Sequence, residues 1–484
     1  MGIVASQSFK NIISTYLGFL IGAINTLFLY TKFLSDDYYG MVGYMLSLAY
    51  VIMPLMAFGA HNTLVKFYTT FKTRESLNGF LTLMLLMPIA VIIPIVLLTY
   101  FGYGFIGDLL SNKNPIIKQY LWHTVVIAIS LAYFELFFSW AKVQMQTVFG
   151  NFMKEVFHRV GTMLLLFAFH FEYIDLEQFM SGLTIIYFVR MLIMKVYAFT
   201  LKFPKLTFKK INDLSRILKY SGLIIIAGAI ATSLLDVDKV MLGHYIPIKE
   251  IAYYNVAIFI TAVIAVPQRA MHQLLMPMTA KFLNEHDYDA LEDLYKKSSL
   301  NLFIVGGFIF LLIVLNINQL YLIIPEEFNV GLYVVFMISV VKLYDSLLGS
   351  NNAILFNSDY YRMVLVLGVV LVIVMVAFNI LFIPILGING AGLATFLAVF
   401  LYNSIKLYFV HTKFKISPFS PKTLQIGLFI AGFAVLFYFW DFPFHPILNI
   451  ALKSILIAVL YGFIVFKFKF SDDISKLLQK YLKL

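Results

Sequence analysis

The sequence predicts an all-α polytopic membrane protein with about 14 transmembrane helices, arranged as two pseudo-symmetric six-helix lobes plus two C-terminal helices. Of its 484 residues, 61% are hydrophobic and only 13% are charged, and the mean hydropathy is +0.88. The apolar residues form long unbroken runs of about 20 residues, the length that a spanning helix needs. A transmembrane β-barrel would instead require short segments of alternating polarity. An ordinary soluble enzyme is excluded by composition.

Fourteen apolar runs have the length of a span. Six precede a basic stretch at residues 202–219, six follow it, and two more come after the proline-containing linker at 417–421. Their bounds are 9–33, 40–65, 79–101, 117–140, 148–170 and 177–200, then 220–243, 251–280, 299–324, 330–350, 363–386 and 390–411, and finally 423–440 and 447–466.

A weak internal repeat indicates how these spans are grouped. Residues 34–66 and 246–278 both begin with a short polar turn and continue into an aromatic-rich span with a proline, Pro54 or Pro267. An offset of about 212 residues corresponds to six spans, which favours two six-helix halves. We therefore expect an N-terminal lobe at 1–205, a C-terminal lobe at 206–415, and two additional helices with a basic cytoplasmic tail at 416–484.

The distribution of charge predicts the orientation in the membrane. With the N-terminus inside, most of the 36 Lys and Arg residues fall in inner segments, whereas outer segments carry more acids than bases. Cytoplasmic loops carry the excess of Lys and Arg in membrane proteins. The basic groups include Lys202, Lys205, Lys209 and Lys210, then Lys406, Lys413, Lys415 and Lys422, and in the tail Lys467, Lys469, Lys476, Lys480 and Lys483. Both termini are therefore expected to be cytoplasmic.

Three local motifs connect this layout to a known family. The run 383–395 is similar to a Pro-x-x-Gly-x-x-Gly-Ala-Ala-x-Ala-Thr turn, with Gly392 where the family usually has alanine. The run 238–243 is similar to an Asp-Arg-x-hydrophobic-hydrophobic-Gly motif, and Tyr39-Gly40 opens the second span. With its six-plus-six-plus-two layout, the chain resembles the polysaccharide flippase branch of the multidrug/oligosaccharidyl-lipid/polysaccharide exporter superfamily.

The resemblance implies a transporter of the bacterial cytoplasmic (inner) membrane that works by alternating access. Its substrate would be an anionic polyprenyl-pyrophosphate-linked oligosaccharide, moved from the inner to the outer leaflet for cell-surface polysaccharide assembly. The implied partners are this lipid, the membrane lipids and polysaccharide assembly enzymes, with no nucleic acid and no cofactor. The protein would not be an enzyme.

Six charged residues within the spans are the primary site candidates: Glu135, Arg190, Asp236, Asp238, Lys239 and Arg269. A charge inside the bilayer is costly and usually faces a watery cavity or a partner. Arg269 follows Pro267 near the middle of its span and is expected either to bind substrate or to snorkel or pair structurally. Arginine suits a pyrophosphate because its planar fork binds phosphate oxygens in pairs. Arg190 is a second substrate-binding candidate that could instead reach the inner surface.

The remaining candidates are an ion-coupling site or structural pairs. Asp236 and Lys239 are three residues apart on a helix and can pair, whereas Asp238 points elsewhere. Glu135 is either a proton carrier or the partner of a cation such as Lys142. Lys66 and Lys342, at the inner ends of spans two and ten, are secondary substrate-binding candidates.

Other chemistries lack their signatures. The chain has no cysteine, no nucleotide-binding loop and no paired metal-ligand spacing among its nine histidines. A membrane-embedded glycan polymerase or transferase usually has a larger outer loop, and here no connection exceeds about 20 residues. An ion-coupled multidrug exporter of the same superfamily is the nearer alternative.

Overall fold

Long helices occupy all fourteen positions at which the sequence predicts a span. The structure, a computed structural model, describes residues 3–111, 113–208, 213–475 and 479. Lys209, Lys210, Lys476, Lys480 and Lys483, which contribute to the charge asymmetry, lie outside the described residues. Among the described residues, twelve helices are long and apolar enough to cross a membrane. The chain is therefore a multi-pass, all-helical membrane protein.

The fourteen helices are numbered in chain order. They are α1 (3–33), α2 (Asp36–Met56), α3 (Arg74–Phe101), α4 (Leu121–Val143), α5 (148–170), α6 (Leu176–Leu201), α7 (Leu214–Tyr245), α8 (249–284), α9 (Tyr288–Tyr321), α10 (Leu332–Leu347), α11 (Tyr361–Leu386), α12 (Ile388–Phe414), α13 (Pro421–Tyr438) and α14 (Pro446–Lys467). Only α5 and α7 are missing from the twelve apolar spans, and both carry several charged residues.

Four shorter α-helices lie in the connections that the structure describes: Ala60–Phe67, Tyr103–Leu110, Ile116–Gln119 and Asn351–Asn357. The chain divides into two compact units, Met1–Ala252 and Tyr253–Leu484. The division of the sequence into segments 1–205, 206–415 and 416–484 remains a prediction.

In unit 1, α4 packs against both α6 and α2, and α7 packs along α2. The core of this unit is aromatic and includes Phe134, Phe138 and Trp140 of α4 with Met194 of α6. A lipid environment supplies no hydrophobic force between helices, so close packing of such side chains holds the bundle together.

In unit 2, α9 is the helix around which the others pack. It contacts α10, α13 and α14, while α11 pairs with α12 and α10 packs against α12. Ile304 and Leu311 of α9 meet Ile430 of α13 and Tyr461 of α14 in one core. The last two helices are therefore built into unit 2 through α9.

Two predicted spans are interrupted near their ends. The run 40–65 is a single span by composition, but α2 ends at Met56 and a new helix begins at Ala60, after Gly59 with φ +64°. The run 330–350 likewise ends with α10 at Leu347, and Gly349 has φ +51° before the helix Asn351–Asn357. Glycine adopts this left-handed conformation without steric cost, so each glycine redirects the chain between two helices.

Helix α8 is also irregular. A 3-10 turn at Val263–Ala265 separates its two parts, and Pro267 occupies the first turn of the second part. Proline is tolerated there because the amide that it lacks would have no partner within the helix. This break sets the position of the next residues, Gln268 and Arg269, at the start of a new helical segment.

Helices α1 and α5 each contain a π-helical turn, at Asn25–Leu29 and Met153–Phe157. They approach closely at Gly18, where an added Cβ would collide with the backbone carbonyl of Glu155. The side-chain amide of Asn25 donates to the backbone oxygen of Arg159, at 2.8 Å. Such turns are rare within helices and change the direction in which the following side chains point.

Candidate functional site

Arg269 lies beside a small cavity of unit 2 that several polar side chains line. The cavity has a volume of about 150 Å³, and Arg269 itself is exposed. The other polar side chains that line it come from α8, α10 and the helix Asn351–Asn357; they are Gln268, His272, Asp345 and Asn352. The broken helices described above therefore bring these side chains together.

Asp345 is held in place by amide groups. The Gln268 side chain donates to the backbone oxygen of Asp345 at 3.2 Å, and the Asn403 side chain donates to its Oδ1 at 3.2 Å. Lys342, one turn earlier on α10, is half-buried and close enough to Asp345 and Arg269 to interact electrostatically with both. Two of the predicted substrate-binding residues, Arg269 and Lys342, are thus neighbours.

Lys406 belongs to this cluster, although the sequence places it with the basic inner loops. Only 2% of Lys406 is exposed. Its ammonium group donates to Asn352 Oδ1 at 2.9 Å and lies 4.3 Å from the centre of the Tyr402 ring. Lys406 lies two turns before the end of α12, so this member of the inner basic group is buried within unit 2. Its spacing of three residues from Asn403 puts both on one helix face.

In unit 1, Glu135 pairs with Lys154 of α5. The Lys154 Nζ lies 2.5 Å from Glu135 Oε1, and the Glu135 side chain is 15% exposed. The sequence suggests Lys142 as a partner on the same helix, but the Lys142 ammonium lies over the Phe138 ring, 4.0 Å from its centre. The sequence does not indicate Lys154 as a site residue; it lies in the π-helical turn of α5.

Arg190 is fully inside unit 1. Its side chain does not extend to the surface, since only 2% of the residue is exposed. The guanidinium lies 4.3 Å from the centre of the Phe134 ring and 4.8 Å from that of Tyr187. Its Nη1 is 3.4 Å from His158 Nδ1. The faces of aromatic rings attract a cation, so these two rings stabilise the buried guanidinium.

Asp236 and Lys239 form an ion pair on α7. The Lys239 Nζ lies 3.3 Å from Asp236 Oδ1, and the Ser47 hydroxyl donates to the same oxygen at 2.8 Å. Asp238 is buried, with 4% exposure. Lys66 is exposed, and its ammonium lies 4.0 Å from the centre of the Tyr220 ring.

Tyr50 of α2 connects several of these groups. It is close enough to Arg190, Asp236, Lys154 and Glu135 to interact electrostatically with all four. Three predicted site residues of unit 1, from α4, α6 and α7, therefore lie within electrostatic range of one tyrosine. Within the part of the chain that the structure describes, no three His, Asp or Glu side chains are arranged to hold a metal ion.

The glycines of the 383–395 motif have a structural explanation. Gly387 joins α11 to α12 with φ +56° and ψ −133°, a conformation that only glycine adopts readily. At Gly392, a Cβ would lie 3.0 Å from Met337 Cε and within 3.4 Å of Val334. Glycine at position 392, where the family usually has alanine, therefore lets α12 pack closely on α10.

The comparisons with known proteins concern the fold. No protein-family model matches the chain, and no curated protein sequence matches it. Solved structures, in contrast, do match the chain. The lipid II flippase MurJ in an inward closed conformation superimposes with a TM-score of 0.76 at 15% identity, over 95% of this chain and 99% of that one.

Two further structures are similar at lower scores. An inward-facing multidrug resistance MATE family transporter of the MOP superfamily has a TM-score of 0.58 at 11% identity, over 85% of this chain and 94% of that one. The third is a MOP superfamily transporter from Pyrococcus furiosus, for which reverse polarity of the binding pocket suggests a different function. It has a TM-score of 0.57 at 12% identity, over 85% of this chain and 95% of that one. The chain has the fold of these transporters.

Proposed function

We propose that the protein flips an anionic, polyprenyl-pyrophosphate-linked oligosaccharide across the bacterial cytoplasmic membrane by alternating access, for cell-surface polysaccharide assembly. The observation that carries this proposal is the excess of cations around the Arg269 cavity. Arg269, Lys342 and Lys406 lie in one cluster of unit 2, with Asp345 as the acid among them. Such a cluster favours a multiply charged anion.

The energetics of a diphosphate support this role. An unpaired anion in a low-dielectric region is costly, so a transport path for it must supply cations. Arg269 is exposed at the cavity and offers a planar fork to two phosphate oxygens. Lys406 is buried, and its ammonium group rests on an amide oxygen and an aromatic ring. Its charge is available to attract a ligand that enters the cavity.

The roles in unit 1 are distributed differently. Arg190 has aromatic and imidazole neighbours and serves as a second cation for the substrate. The Asp236–Lys239 pair, with Ser47 bound to the same oxygen, serves as a structural pair of α7. Glu135, whose partner comes from another helix, remains the ion-coupling candidate, and Asp238 is assigned to the same class. Lys66 and Lys342 are proposed to guide the anion from the cytoplasmic side.

The proposal extends to topology and organisation. Both termini are placed in the cytoplasm, and the two six-helix lobes and the C-terminal helix pair are kept as predicted. Polysaccharide assembly enzymes are the expected protein partners. No covalent reaction is assigned to the chain.

An ion-coupled multidrug exporter is the competing function, with Glu135 and Asp236 as candidate ion carriers. Such exporters typically move small cations, which the cation-rich cluster around Arg269 would repel. The polarity of this cluster therefore favours the anionic lipid over a cationic drug.

Reconstitution in proteoliposomes tests the choice between these functions. The substrates are a fluorescent polyprenyl-pyrophosphate-linked oligosaccharide, the same lipid with a neutral linkage in place of the pyrophosphate, and ethidium as a cationic drug. We expect translocation of the pyrophosphate lipid, at least tenfold slower movement of the neutral lipid, and no transport of ethidium. Transport of ethidium without movement of the lipid would establish the exporter instead.

A further inference from the structure

Unit 2 contains a second cavity, distinct from the one beside Arg269. Its volume is about 620 Å³, within the range of small-molecule sites in proteins. It is formed where α8, the helix Asn351–Asn357 and α12 end and where α9 and α11 begin. We call it the helix-end cavity; the side chains that matter for its chemistry are His286, Tyr288, Asp359, Tyr360, Lys413 and Phe414.

The charges in the helix-end cavity are balanced. Lys413 contributes one positive charge and Asp359 one negative charge, and His286 adds a ring with both donor and acceptor capacity. This differs from the cluster beside Arg269, where cations exceed acids. A cavity with balanced charges and several polar groups suits a neutral ligand that carries many hydroxyl groups.

Aromatic rings give the cavity a fixed surface for stacking. Tyr360 is 37% exposed and Tyr288 is 45% exposed. Phe409 and Phe414 pack against Tyr360 at interplanar angles of 80° and 90°, which holds its ring in one orientation. The Lys413 ammonium lies 5.4 Å from the ring centre, so a ligand stacks on the part of the ring that this lysine leaves exposed. The apolar CH face of a sugar ring can pack on such a surface while its hydroxyls bind the polar groups at the edge.

The floor of the cavity is rigid. Leu283 and Phe414 pack onto a buried cluster that includes Tyr295, Leu355 and Val410. The turn from α8 to α9 is closed by backbone hydrogen bonds, and the Asp287 side chain caps α9 by accepting from the Ala290 amide at 3.0 Å. The aromatic surface is therefore presented by packed helix ends.

The position of the cavity relates it to the anion cluster of the same unit. Lys413 follows Lys406 on α12 by seven residues, which corresponds to about 10 Å along a helix. Asn357, which lines the helix-end cavity, follows Asn352 by five residues on one short helix. The same helices thus carry both clusters, and the topology prediction places the helix-end cavity on the cytoplasmic side.

We propose that the helix-end cavity is a binding site for a neutral oligosaccharide, with Tyr360 as the stacking residue and Asp359 as a hydroxyl ligand. This inference rests on the proposed function, because the glycan of the lipid-linked substrate is the ligand that the site would hold. The site would capture sugar rings on the cytoplasmic side while the pyrophosphate engages the cations around Arg269.

Saturation-transfer difference NMR on the full-length protein in nanodiscs tests the site directly. The probes are four nonionic disaccharides, namely maltose, cellobiose, lactose and N,N′-diacetylchitobiose, and nanodiscs avoid detergents that contain sugars. We expect at least one disaccharide to bind. Tyr360→Ala should weaken its binding at least tenfold and Asp359→Ala at least threefold, while Tyr360→Phe retains the ring and most of the binding. Tyr333→Ala, at a 67% exposed tyrosine of α10, is the matched control and should bind as the wild type does.

Three results would overturn the site: no binding of any of the four disaccharides, equal binding by Tyr360→Ala and wild type, or displacement of the disaccharide by inorganic pyrophosphate. Failure of the proposed function gives a different pattern. If disaccharides bind and depend on Tyr360, but proteoliposomes do not translocate the lipid, the site stands and flipping is refuted. If the lipid is flipped and no disaccharide binds, flipping stands and the oligosaccharide site is refuted.

Discussion

The Lys154 ammonium lies 2.5 Å from the Glu135 carboxylate, and this ion pair joins helix α5 to helix α4. The two partners are unequally buried, with 15% of the Glu135 side chain and 42% of the Lys154 side chain exposed. Removing one partner of a buried pair leaves the other charge without compensation. The consequence depends on which partner remains.

Lys154→Met should therefore destabilise the protein more than Glu135→Gln. The first leaves the more buried charge without its ion-pair partner, and we expect a loss of about 2–4 kcal/mol in unfolding free energy. For the second we expect a loss of about 1–2 kcal/mol. The double variant should recover most of the loss. The thermal unfolding midpoints of the three variants, measured in one detergent, rank these losses of stability. Asp293→Asn, in a pair whose side chains are 59% and 60% exposed, is the control and should change the midpoint little. Equal losses in the two single variants would contradict this reasoning.

Asn114 should be important for stability because it bonds three backbone groups near the end of α7. Its side chain donates to the oxygens of Gly243 and Ile246 at 2.7 and 2.8 Å, and its Oδ1 accepts from the Ile248 amide at 2.8 Å. Asn114→Ala leaves these buried groups without partners and should cost about 2–4 kcal/mol. Asn114→Asp, which keeps one acceptor and loses both donors, should also lower the midpoint. An unchanged midpoint for both variants would show that water replaces the amide.

Gly387→Ala should reduce the amount of folded protein. The backbone at this position has φ +56° and ψ −133°, and a side chain there should cost about 1–3 kcal/mol in strain. The matched control is Gly432→Ala on α13, where an added Cβ meets nothing within 4 Å. Fluorescence-detected size-exclusion chromatography compares the monodisperse fraction of the two variants. If both variants behave alike, the connection between α11 and α12 is not specified by this glycine.

The orientation in the membrane can be checked with reporter fusions. The excess of Lys and Arg in alternate loops predicts that fusions after residue 210 and after residue 484 report a cytoplasmic location. A fusion within residues 442–445, between α13 and α14, should report the opposite side. If fusions placed before and after one helix report the same side of the membrane, the fourteen-span topology is wrong.

The sequence predicts the helices well and the interactions between them less well. Span length follows from the bilayer thickness, so apolar runs locate all fourteen helices. The breaks at Gly59 and Gly349 are not apparent because both glycines lie within sequences that continue to look helical. Conversely, the spacing of Asp236 and Lys239 suffices to suggest their pairing, because both lie on one helix.

Contacts between helices explain what the sequence does not show of the site. The Glu135 partner comes from α5, and no spacing along the chain relates residues 135 and 154 once a turn separates their helices. Lys406 lies near the inner end of the predicted span 390–411, and the three lysines that follow it within 16 residues group it with the inner basic residues. Only the packing of α12 against the helix Asn351–Asn357 shows that this lysine is buried.

The most direct test of the proposed function is translocation by variants of Arg269. The assay measures leaflet accessibility of the lipid-linked sugar in cells that lack the native protein and express each variant at matched membrane levels. We expect Arg269→Ala to reduce translocation at least tenfold, Arg269→Lys to recover only part of it because the ammonium group lacks the bidentate fork, and Arg190→Ala to have a smaller effect. Arg216→Ala, at an exposed arginine outside the cluster around Arg269, should translocate as the wild type does. Wild-type translocation by Arg269→Ala would contradict the account, since the cation placed to receive the pyrophosphate would then be dispensable.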